Sequence, residues 1–179
     1  MCIVVDTNNI ARVFNPKNSE HQEFIPVFDW ILKGSGKLVI GGSTFEKEIV
    51  LNKWFLPFLG ELSRKGKVLR VATEKVDHLR DKIIEETEDH RDFDDQHIVS
   101  LLAISGCKLI CSSDVRAYPY FTKSDFYNNG HRPKIYSSSR NKDLLIDHNI
   151  CEQCKPSIKL NKGTVDVLDA LREKCVKKD

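Results

Sequence analysis

Residues 94–114 read DDQHIVSLLAISGCKLICSSD: two acids, about ten residues with helical apolar spacing, a glycine, a short aliphatic run, two serines and a third acid. The spacing of Ile98, Leu101, Leu102 and Ser105 predicts a helix with one buried face, and Gly106 is a natural left-handed stop for it. Asp94 is suited to cap that helix, because its carboxylate can accept an orphan backbone N–H. Asp95 would then lie in the first turn, beside the positive end of the helix. CKLIC (107–111) reads as a strand that delivers Asp114 just beyond its C-terminal end.

The same helix–strand alternation recurs outward from this unit. CIVV (2–5), KLVIG (37–41), KVLRVA (67–72) and PKIYS (133–137) are further short strands. The first crossover predicts a short piece over 10–14, then a helix over 23–33 carrying Phe24, Val27, Phe28, Ile31 and Leu32, ended by Gly34 and Gly36. The next starts at Ser43 or Thr44, with Phe45, Ile49 and Leu56 on one side and a kink or break at Pro57. A helix over 74–87 has Val76, Leu79, Ile83 and Ile84 as its stripe, and a last one over 164–177 turns Val165, Leu168 and Leu171 inward. Alternating strands and helices predict an α/β fold of three layers, α/β/α, with a central, mainly parallel sheet. The pattern divides into a domain over 1–140 and a C-terminal extension over 141–179 packed on it.

The 179 residues suffice for one substantial core. With 40% hydrophobic and 30% charged residues the chain has the balance of a folded, soluble protein, and no apolar stretch is long enough for a membrane span. The start lacks the basic, apolar and small-residue regions of an export signal, so a cytoplasmic location and reduced thiols are expected. The net charge of +2 says little about partners. Its distribution says more, since RKGKVLR (64–70) is basic and EETEDHRDFDD (85–95) is acidic.

In an open parallel sheet, ligands bind beyond the C-terminal strand ends. Acids stand at several of those ends here: Asp6 after the first strand, Glu46 and Glu48 on the helix after the second, Asp95 at the start of the helix leading to the fourth, and Asp114 after the fourth. Clustered carboxylates repel, and a divalent cation relieves that repulsion. Mg²⁺ takes oxygen ligands and retains waters, leaving positions for a phosphate oxygen and an attacking water. Singly, each acid has a plainer reading: Asp6 as a cap aided by Thr7 and Asn8, the glutamates as exposed helix residues, Asp114 as a turn former.

Taken together, IVVDTNNI, GGSTFEKEIV and DDQHIVSLLAISGCKLICSSD resemble, in order and spacing over 1–137, the PIN domain nucleases. The resemblance implies a PIN-like fold, metal roles for Asp6, Glu48, Asp95 and Asp114 with Mg²⁺ or Mn²⁺, and supporting roles for Asn8 and Ser112. Glu48 fits the family pattern better than Glu46 because it directly precedes an aliphatic residue. The implied activity is metal-dependent hydrolysis of RNA, with single-stranded DNA as a second substrate. A toxin role would bring an antitoxin protein as partner, and a homodimer is a further expectation. The loop after Asp114 and the segment from Lys142 onward are longer than in a minimal toxin-type member. The competing readings are a PIN-like interaction module without catalysis and a small phosphohydrolase, the latter weakened by the missing DxDx arrangement.

Lys47, Lys53, Arg116, Lys123 and Arg140 are candidate phosphate contacts. Tyr118, Tyr120 and Phe121 either stack on bases or fix their own loop. Cys2, Cys107 and Cys111 read as buried small hydrophobes. HNICEQC places His148, Cys151 and Cys154 at zinc-compatible spacing, with Cys175 as a distant fourth donor and a plain loop as the alternative. His97 is two residues from Asp95, a separation that does not share a helix face, and receives no role.

Overall fold

All five aliphatic runs form strands of one parallel sheet. The computed structural model describes residues 2–87, 93–127, 132–146 and 152–177. The strands are β1 (Cys2–Val5), β2 (Lys37–Gly41), β3 (Val68–Val71), β4 (Leu109–Cys111) and β5 (Lys134–Tyr136). Their order is β3-β2-β1-β4-β5, and every neighbouring pair is parallel. The registers Val4 with Val39 and Val5 with Cys111 place β1 centrally. Since β1 and β2 are buried on both faces, their sequences are continuous aliphatic runs rather than alternating ones.

Helices flank the sheet. α1 (Ile10–Phe14), α2 (His21–Leu32) and α4 (Phe55–Arg64) meet through an aromatic cluster in which Phe14 lies 4.7 Å from Phe55 and 6.2 Å from Phe28 between ring centroids. The chain breaks between α3 (Ser43–Leu51) and α4, so Leu56 lies on a different helix from Phe45 and Ile49. Pro57 falls in the first turn of α4, where its missing N–H costs nothing. In α5 (Thr73–Glu86) Val76 and Ile83 are buried, but Ile84 is exposed, contrary to the stripe read from spacing.

α6 (Gln96–Ser105) lies against β1, β2 and β3. Its burial extends beyond one face to His97, Val99 and Ser100. Gly106 ends it in the left-handed conformation at φ 63°. Asp94 is not its cap: Asp95 occupies that position at φ −95°, ψ 27°, and its carboxylate bonds no helix N–H. The cap-side carboxylate is thus left facing elsewhere.

The loop after β4 contains α7 (Tyr118–Phe121). Phe121 is buried, Tyr120 stacks on Phe93 at 4.0 Å, and the Tyr118 hydroxyl donates to the Ser112 carbonyl at 2.9 Å. The rings fix their own loop.

α8 (Lys162–Lys177) packs on α4, and Arg172 reaches across to lie 4.0 Å from the Phe28 ring centroid. Val165, Leu168 and Cys154 belong to the same buried cluster as the strands, whereas Leu171 is only half-buried. Cys2 is buried as expected, but it forms a disulfide with Cys154, Cα atoms 6.2 Å apart, which corrects the expectation of a reduced thiol at these two positions; Cys111 and Cys175 remain thiols. Sheet and C-terminal turn bring the two sulfurs together across 152 positions. The same bond removes Cys154 as a zinc ligand; His148 and Cys151 lie outside the described residues.

A second tie is Lys67, whose side chain is fully buried. Its ammonium donates to the carbonyls of Gly34 (2.8 Å), Gly36 (3.3 Å) and Ile158 (2.6 Å). Burial, with Lys37 nearby, brings its pKa down to about 8, so it stays largely charged at neutral pH. Beside it Gly66 holds φ 70°, and a Cβ there would meet the Ile158 side chain at 2.5 Å. Lys67→Met is expected to lower stability by about 2 kcal/mol through stranding these carbonyls. The measurement is the urea midpoint at unchanged slope. An unshifted midpoint would show that the amine ties nothing.

Among the described residues, no helix is long and apolar enough to cross a membrane.

Candidate functional site

The sheet reverses its winding at β1, which has β2 on one side and β4 on the other. Loops following β1 and β4 therefore diverge, and the crevice between them is where this architecture places ligands. Asp6 ends β1 and is 1% exposed. One of its oxygens accepts the Asn8 backbone N–H at 3.0 Å, and the other accepts the Ser112 hydroxyl at 2.7 Å. Asp6 therefore caps the turn Thr7–Asn9 and also binds across to the loop after β4. Asn9 strengthens that bridge, its side-chain oxygen accepting from both the backbone N–H and the hydroxyl of Ser113.

Glu48 reaches the crevice from α3. Its Oε2 accepts the Thr7 hydroxyl at 2.7 Å and lies 3.2 Å from His97 Nε2. Glu46 points away and pairs with Arg70 at 3.0 Å. Of the two glutamates, only Glu48 meets the loop that follows Asp6.

Asp95 enters from the start of α6. Thr7, Asn8, Glu48, Asn52, Asp95 and His97 are among the residues lining a cleft of about 540 Å³. Asp114, just beyond β4, does not line that cleft, and the Arg116 guanidinium grips it in a fork at 3.1 and 2.9 Å. That fork accounts for Arg116, which sequence offered as a phosphate contact. Lys123 instead lies over the Phe126 ring.

Charge interactions show how closely the acids gather. Burial raises the Asp6 pKa and Glu48 adds to the rise, against the lowering bonds from Ser112 and Asn8. Asp95 is pushed up to about 7 by burial first and then by the charge of Asp6, with Asp94 and Asp114 adding to it and His97 opposing. Glu48 is also penalised by burial, yet the bonds from His97 and Thr7 prevail and hold its pKa below the ordinary value. Asp114 is lowered by the Arg116 fork.

Of the four acids expected from sequence, Glu48 and Asp95 line the cleft, Asp6 interacts by charge with both, and Asp114 with Asp95; Asn8 meets Asp6 through its backbone, and Ser112 meets it through its hydroxyl. Sequence reasoning missed His97 and Thr7. Asp95 stands outside the helix proper, so the spacing argument that separated it from His97 does not apply. Thr7 was visible only as a helper of Asp6; its hydroxyl serves Glu48.

An all-oxygen carboxylate set suits Mg²⁺ or Mn²⁺, and the raised pKa of Asp95 marks negative charge that a cation would relieve. Among the described residues, no three His, Cys, Asp or Glu side chains stand grouped tightly enough to hold an ion by themselves.

No family model, curated protein or solved structure matches the chain.

Proposed function

We propose that the chain is a metal-dependent endoribonuclease with a PIN-like three-layer fold, acting on RNA and secondarily on single-stranded DNA. The observation that carries this reading is geometric: Asp6 at the end of β1 bonds across to Ser112 after β4, and Glu48 and Asp95 line the adjoining cleft at the C-terminal edge of a parallel sheet. Carboxylates crowded this closely, each contributed by a different part of the chain, are suited to cation binding beside a phosphate.

Asp6, Glu48, Asp95 and Asp114 would hold Mg²⁺ or Mn²⁺, directly or through water. When bound, the ion supplies charge stabilisation at the phosphate and lowers the pKa of water. The chain's own contribution is orientation. The Ser112 hydroxyl and the Asn8 N–H each fix one oxygen of Asp6. Thr7 and His97 converge on one oxygen of Glu48, which lines the cleft. Asp95, with its pKa raised to about 7, is shared between protonated and ionised forms at neutral pH, and an approaching positive charge would favour the ionised one.

Asp6→Asn preserves the size of the side chain and removes its charge. It is expected to slow cleavage of total RNA in Mg²⁺ or Mn²⁺ by at least about 100-fold, the upper end of the effect that even outer-shell partners of a metal carry. Circular dichroism should show the same fold. A folded variant with full activity would remove Asp6 from the chemistry.

A second reading is a PIN-like interaction module without catalysis. It is favoured by the Arg116 fork, which already neutralises Asp114. Wild-type protein that binds oligonucleotides but cuts neither RNA nor single-stranded DNA in either ion would establish it.

A further inference from the structure

The face built by α4 and α8 carries a groove remote in character from the acidic crevice. One part, about 570 Å³, is lined by Trp54, Pro57, Leu171 and Cys175, with Lys53, Lys174 and Lys177 around it. A second part, about 730 Å³, continues along α8 past Val167 and Leu168 to Gly163, with Lys65 and Glu61 on the α4 side. The two share Leu171 and Lys174 and so form one channel. From Gly163 to Lys177 it follows α8 for about 20 Å at 1.5 Å per residue, the length of roughly four helical turns.

We propose that this groove docks an acidic amphipathic helix of a partner protein. Its floor is apolar and partly uncovered: Val167 is 69% exposed, and Trp54 and Leu171 are half-buried. Its margins carry four lysines, and among the described residues none of them joins an ion pair. The one acid in the lining, Glu61, is already paired with Arg64. An occupant that matches this surface presents aliphatic residues at helical spacing to the floor and carboxylates to the rim.

Two other occupants fit less well. Isologous pairing with a second copy would set lysines against lysines. Single-stranded RNA needs successive aromatic faces for its bases, and the floor offers Trp54 with aliphatic neighbours. The proposal does not rest on nuclease activity.

The test uses the full chain and three fluorescent probes: a helical peptide the length of α8 with Leu on one face flanked by Glu, the same peptide with Lys for Glu, and a uridine oligonucleotide. Anisotropy should show binding of the Glu peptide, at least about tenfold weaker binding of the Lys peptide, and a further sign of contact in altered Trp54 fluorescence. Lys174→Glu and Val167→Asp, both at exposed positions, should each weaken the Glu peptide by about tenfold, equivalent to about 1.4 kcal/mol. The proposal is overturned by failure of the Glu peptide to bind, by equal binding of the two peptides, or by variants that bind as wild type. Two further results would overturn it: oligonucleotide binding in the groove in place of the peptide, and self-association that Lys174→Glu abolishes.

Discussion

Breaking the Cys2–Cys154 bond is expected to lower the stability of the fold by about 3–5 kcal/mol, the largest effect anticipated for any single change in this chain. The bond joins residues 152 positions apart, so in the chain-entropy view it removes a very large loop from the unfolded ensemble. It also joins the first residue of the central strand to the turn that precedes α8. Cys154→Ser, Cys2→Ser and dithiothreitol treatment should therefore produce the same loss in urea unfolding, and combining both substitutions should add little. Hydrogen exchange should rise first over 152–177, whose covalent tie is lost, and only later in β1, which stays inside the sheet. Oxidised and reduced proteins with identical unfolding curves would show that the bond adds nothing to the fold.

Asp95→Asn should act in the opposite direction. The Asp95 pKa lies at about 7 against an ordinary 3.8, so between those values the folded protein binds a proton that the unfolded chain releases. The stability associated with that proton is complete below about pH 4 and is lost as the pH rises through about 7. The interval corresponds to roughly 4 kcal/mol at 1.36 kcal/mol per unit, and solvent at the partly exposed side chain reduces it to about 3 kcal/mol. An asparagine carries no charge to repel. The variant should consequently be more stable than wild type by about this amount at about pH 8 in chelator, and no more stable at about pH 4. Adding Mn²⁺ at the higher pH should close the gap by stabilising wild type and leaving the variant little changed. A difference that ignores pH, or a wild type indifferent to the ion, would separate Asp95 from the other carboxylates.

The sheet was readable because its strands are short, aliphatic and bounded by turn residues, and β1, β2 and β4, buried on both faces, needed no alternation to be recognised. Gly106 was readable because a helix followed at once by a strand needs a left-handed stop. Side-chain direction was harder. Glu46 and Glu48 are equivalent in composition, and only the packing of α3 beside the loop after β1 turns Glu48 toward Thr7 and leaves Glu46 to Arg70. His97 escaped because its partner is Glu48, 49 positions away, and only the packing of α3 and α6 brings the two together. Ile84 follows apolar spacing yet faces solvent, since only part of the α5 circumference is covered. The disulfide lay beyond any local pattern: its partners sit near opposite ends of the sequence, and topology alone brings them together.

Lys67 bears on how this protein can be shortened. Its ammonium takes its nearest acceptor from Ile158, a residue well past the last strand, while the other two belong to the turn before β2. Ending the chain ahead of Ile158 would remove one of three acceptors and open the amine to water, while the Gly34 and Gly36 carbonyls go on accepting from it. A shortened version therefore keeps the lysine, whose loss would strand the two glycine carbonyls that remain.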